Sequence, residues 1–79
     1  MKIIISDDNK KELLSTANIN EAYRFLKNNS YYDTTFIPLK TIKNAIGYDK
    51  DMDKSQSLYI FYKDKEETQY ISMEVFWDE

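Results

Sequence analysis

"SLYIFYKDKEETQYISMEVFWD", residues Ser57 to Asp78, is the stretch on which the fold turns. Two apolar runs rich in β-branched and aromatic residues flank the charged segment "KDKEE", the pattern of two antiparallel strands joined by a turn. In the second run Ile71, Met73, Val75 and Trp77 alternate with Tyr70, Ser72, Glu74, Phe76 and Asp78. Period-two alternation puts each set on one face, and the first set is expected against the core. In the first run Leu58, Ile60 and Tyr62 share one face, and Tyr59 and Phe61 share the other.

Working outward, "KIIIS" (Lys2 to Ser6) predicts a short strand, because three consecutive β-branched residues favour extended backbone and suit an interior position. "KELL" is read as an added helical turn. Asn18 stands three residues ahead of Glu21, the spacing of a capping box, and Ile19, Ala22, Tyr23 and Leu26 then recur at helical intervals to about Lys27. "TTFI" reads as a brief strand or an extended connection. Pro38 suits the first turn of a second helix over 39–46, closed by Gly47 in a left-handed position. The expected architecture is α+β: a three- or four-stranded, mainly antiparallel sheet with two short helices on one face, in the order β-α-(β)-α-β-β.

The 79 residues allow one small domain, spanning 1–79. Seven Tyr, four Phe and one Trp give bulky anchors enough for an ordered core. There is no Cys and no His, which removes disulfides, thiolate nucleophiles, the ordinary zinc ligands and the usual Ser-His or Cys-His pairs. No phosphate-binding glycine loop or activated nucleophile stands out, so no enzyme activity, catalytic residue or cofactor is expected. The N-terminus reaches acid after three isoleucines, too short for a secretory segment, and no run approaches a membrane helix; a cytoplasmic protein without a membrane partner is expected.

Net charge is -3, unevenly spread. Residues 1–30 carry five basic against four acidic side chains, whereas residues 31–79 carry six lysines against ten acids. An acidic second half disfavours direct nucleic-acid binding and suits a basic protein partner. Asp49, Asp51 and Asp53 fit the first, third and fifth positions of a calcium-binding EF-hand loop, but Lys54 replaces its glycine and Ile60 its bidentate glutamate, so no metal is expected. The three aspartates read instead as a wet loop or as one part of an acidic contact surface.

Aromatic residues supply the other candidate contacts. With Tyr59 and Phe61 directed away from the helices and Tyr70 and Phe76 beside them across the hairpin, the sheet has an apolar outer face that a domain with helices on one side cannot hide. The expected partner-binding set is therefore Asp49, Asp51, Asp53, Tyr31, Tyr32, Tyr59, Tyr70, Glu74 and Phe76. In size and acidic-aromatic composition the chain resembles small phage or mobile-element accessory proteins that inhibit host machinery, including anti-defence inhibitors. That resemblance implies a protein-binding inhibitor which occludes a basic or nucleic-acid-processing partner, in the host cytoplasm if phage-encoded. An immunity-like toxin neutraliser, or a structural or regulatory subunit acting through a homodimer or heteromeric interface, are the alternative readings.

Overall fold

The computed structural model describes residues 1–29, 43–47, 50 and 55–77. Strands β1 (Lys2–Asp7), β2 (Glu12–Thr16), β3 (Gln56–Tyr62) and β4 (Tyr70–Phe76) form one antiparallel sheet in the order β2-β1-β4-β3. Helix α1 (Ile19–Asn28) follows β2, and residues 43–47 form a helical segment, α2. This is the expected α+β class, with four antiparallel strands and two helices. The triple isoleucine of β1 occupies an interior strand, as its β-branched run predicts.

One face of the sheet carries the core. Ile3 and Ile5 pair with Val75 and Met73, while Tyr59 and Phe61 pair with Met73 and Ile71, so these residues share a face. Ala22 and Leu26 from α1 and Ile46 from α2 join Ile3, Ile5, Phe61, Ile71, Met73 and Val75 in one buried cluster. Both helices therefore cover the same side. Trp77 packs against that cluster half-buried, and its indole Nε1 donates to the Oγ of buried Ser57 at 3.2 Å, which satisfies the one buried polar residue among those described.

The structure corrects the expected helical turn at "KELL": Glu12–Thr16 is strand β2. Its pairing with β1 shifts between Ile5, opposite Leu14, and Ser6, opposite Glu12, so Leu13 is an extra residue in the ladder. Such a bulge lets two consecutive leucines pack against one core, as both Leu13 and Leu14 do. Without the bulge, adjacent residues of a strand point to opposite faces. That doublet breaks the alternation by which a strand is read.

The predicted α1 is present with its cap altered. Asn18, in extended backbone, accepts from the N–H of Asn20 at 2.8 Å, while the N–H of Asn18 donates to Thr16 Oγ1 at 3.1 Å. The reciprocal bond that a capping box would take from Glu21 is thus supplied by threonine. Gly47 is also corrected, because it lies within the helical stretch and has no positive φ. The expected strand at "TTFI" and the start of the second helix at Pro38 lie outside the described residues.

Both hairpins are closed by one device. At the β1–β2 turn the N–H of Lys10 donates to Asp7 O (3.0 Å) and the N–H of Lys11 to Asp7 Oδ1 (2.8 Å); Lys10 has φ 66. At the β3–β4 turn the N–H of Glu67 donates to Asp64 O (3.3 Å) and the N–H of Thr68 to Asp64 Oδ1 (2.9 Å); Glu67 has φ 59. Each is a turn followed by one left-handed residue, a position at which glycine is free of the Cβ clash. The Thr68 hydroxyl also bonds Asp64, and these bonds to Thr68, side chain first, lower the pKa of the Asp64 carboxyl below its ordinary value. Because the left-handed strain outweighs the added backbone entropy of glycine, Lys10→Gly and Glu67→Gly should each stabilise the domain by about 0.5–1 kcal/mol in urea unfolding. A loss of stability in either variant would contradict this account of the turns.

Candidate binding face

The sheet face opposite the helices is assembled by the same pairings. Across one row lie Ser15, Ile4, Glu74 and Leu58; the next row toward the turns has Glu12, Ser6, Ser72 and Ile60. On the other side of the first row, Lys2, Phe76 and Gln56 are paired, and Tyr62 faces Tyr70 at the hairpin end. Leu58 is 60% exposed, Tyr70 39% and Ile60 36%, while Ile4, Tyr62 and Phe76 are half-buried. Three large apolar side chains in water on one strand pair form a continuous patch, not isolated surface hydrophobes.

An apolar outer face is therefore present, but with a different membership from that expected. Tyr59 and Phe61 are corrected to the core face: Phe61 is buried and Tyr59 is half-buried against the core. The residues that take the outer positions are Leu58, Ile60 and Tyr62, the other set of the same strand. Of the expected contact residues, the structure brings Tyr70, Glu74 and Phe76 together on this face. Asp49, Asp51, Asp53, Tyr31 and Tyr32 lie outside the described residues.

Polar groups are few at the centre of the patch and each has a definite place. Glu74 is half-buried between Ile4 and Leu58, and Gln56 Nε2 donates to its Oε2 at 2.7 Å. The Tyr62 and Tyr70 rings meet edge to face, with centroids 6.3 Å apart and planes at 69°, which fixes the aromatic end of the patch. Between Leu58, Ile60, Tyr70 and Glu74, over the Ser6 and Ser72 hydroxyls and with Asp7 and Lys10 also in its lining, the surface dips into an open concavity of about 400 Å³. A second concavity of about 410 Å³ lies at the turn end, between Asp7, Asp8 and Lys63, and Asp7 and Tyr70 line both.

Among the described residues no group of three or more acidic side chains is arranged to hold a metal ion, and no helix is long and apolar enough to cross a membrane. What the described residues define is a small α+β domain with one sheet face covered by its helices and the other covered by no described element. Comparison with protein-family models, with curated proteins and with solved structures finds no match for the chain.

Proposed function

We propose that the protein is a protein-binding inhibitor that docks through the open face of its sheet and blocks a partner by occupying its surface. The observation that carries this reading is the set of Leu58, Ile60 and Tyr70 side chains, left in water on the side of the sheet that the helices do not cover. Covering them releases apolar surface from water at about 25 cal/mol per Å², and rigid aromatic and aliphatic anchors at the centre of a contact supply most of its energy. Acidic residues of the second half, Asp49, Asp51 and Asp53 among them, would raise the rate of encounter with a basic, nucleic-acid-processing partner. The likeness in size and composition to small phage accessory inhibitors supports inhibition over a passive role.

The test uses the double variant Leu58→Lys/Ile60→Lys. Lysine is tolerated on exposed edge strands, and β3 is an edge, so the variant should keep its circular dichroism and a cooperative melt. Tagged wild-type protein should retain a stoichiometric partner from nuclease-treated lysate and depress that partner's activity, whereas the double variant should lose at least about tenfold in retention. Equal retention by the folded variant would exclude this face. Retention with full partner activity would replace inhibition by a structural role.

A further inference from the structure

We infer that the patch around Glu74 receives a cationic side chain, specifically an arginine set in an apolar surface of the partner protein; this rests on the docking reading above. The area of the face is the first reason. The four strands hold 25 residues; at about 3.3 Å per residue and about 4.8 Å between strands they give a face of about 400 Å², roughly half of what one partner contributes to a standard stable interface. Apolar anchors on a face of this size leave room for a directional contact to add affinity and specificity.

Glu74 is placed to make that contact. It stands on β4, an inner strand, with Ile4 and Leu58 on either side. Among the described residues Oε2 accepts from Gln56, and no lysine or arginine pairs with the carboxylate. Asp7 and Lys10 line the same concavity, yet among the described residues the carboxylate accepts its bond from Gln56. An apolar partner surface would strip water from a charge held by that single bond, which makes a purely apolar occupant unfavourable. Arginine fits better than lysine. Its guanidinium is weakly hydrated, bonds a carboxylate in a fork, and stacks on an aromatic ring, and Tyr70 lines the same concavity as Glu74.

The same carboxylate argues against a second copy of the chain as the occupant. Face-to-face packing about a two-fold axis through the middle of the sheet would bring Glu74 close to its own copy. Two like charges brought together away from water repel each other, which disfavours that packing. The total area of such a pair, about 800 Å², also falls below the range of stable dimers.

The probe is an acetylated, amidated leucine-arginine-leucine tripeptide, compared with its citrulline counterpart, which has the same shape without the charge. Both are titrated into the full chain while methyl and aromatic NMR signals are followed. The arginine peptide should shift the Leu58 and Ile60 methyls and the Tyr70 ring saturably, with binding about tenfold tighter than that of the citrulline peptide, and Glu74→Gln should abolish the difference. Equal binding of the two peptides, no saturable shift with either, or a preference that survives Glu74→Gln would overturn the inference. So would concentration-dependent dimerisation in sedimentation that Leu58→Lys abolishes, because a second copy would then cover the face. If the peptides fail while Leu58→Lys/Ile60→Lys still releases a captured inhibited protein, the docking face stands and only its arginine partner falls. If neither experiment responds, both fall together.

Discussion

Val75→Asp will unfold the domain at room temperature. Val75 is fully buried in β4 and pairs with Ile3 on one side and Ser57 on the other, and the cluster it joins is entirely apolar. Among the described residues a carboxylate there meets no cation, and the one polar side chain opposite it is the Ser57 hydroxyl already bonded to Trp77, so its burial costs several kcal/mol whether it stays charged or takes up a proton to become neutral. The valine's own burial, worth about 1.5–3 kcal/mol, is lost as well. A domain of this size has a stability of only about 4–12 kcal/mol, so the combined penalty reaches or exceeds it. Loss of NMR dispersion and of a cooperative melt is the expected readout. The same aspartate placed at Leu58, on the outer face, should leave both in place because that side chain already stands in water. A native spectrum for Val75→Asp would mean that the two faces of the hairpin are exchanged.

That pair of outcomes turns on a point which the sequence contains but which separate readings of its strands miss. In β4 the polar residues Ser72 and Glu74 mark the outer face, and alternation alone places Ile71, Met73 and Val75 inside. In β3 the run Leu58 to Tyr62 is apolar at every position, so alternation has no polar residue to mark a side. Pairing decides it: directly opposed residues share a face, and a turn with an odd number of residues opposes odd-numbered positions to odd-numbered ones. Tyr62 opposite Tyr70 thus forces Phe61 opposite Ile71 and Tyr59 opposite Met73. Even a five-residue "KDKEE" turn has this parity, so the inward direction of Tyr59 and Phe61 is legible once the hairpin is read as a unit.

Other features were legible to different depths for equally local reasons. Helix α1 combines a cap, a 3.6-residue apolar stripe and no competing turn signal, and its start at Ile19 follows directly. Strand β2 is hidden because its bulge breaks the two-residue period and because Asp7 and a left-handed lysine, not a glycine, make the turn before it. The candidate face follows the same division. Tyr70, Glu74 and Phe76 come from the strand whose alternation is clear, whereas Leu58 and Ile60 come from the ambiguous one. Ile4 reaches the face only through the β1–β4 pairing, a long-range contact that no local pattern encodes.

Leu26→Ala should lower stability by about 2–5 kcal/mol, the usual range for removing a fully buried leucine from a close-packed core. The upper part of that range is expected because Leu26 and Ala22, one turn apart, are the only fully buried positions of α1. Alanine at 26 leaves the helix with no large side chain fully sunk in the core. A ten-residue helix is marginal by itself even with the Asn18 cap, so α1 is ordered through this contact and its loss propagates along the helix. At about 4–8 °C per kcal/mol for a domain of this size, the melting temperature should fall by roughly 8–40 °C. Leu26→Met, which keeps the volume, should cost less than about 1.5 kcal/mol. Amide exchange gives a finer check: the α1 amides should lose protection in Leu26→Ala before those of β1 and β4, the two inner strands. Because α1 and the open face lie on opposite sides of the sheet, the variant kept well below its melting point should still retain the partner. A helix variant that melts normally but releases the partner would place the binding surface on the helical side and overturn the assignment of the open face.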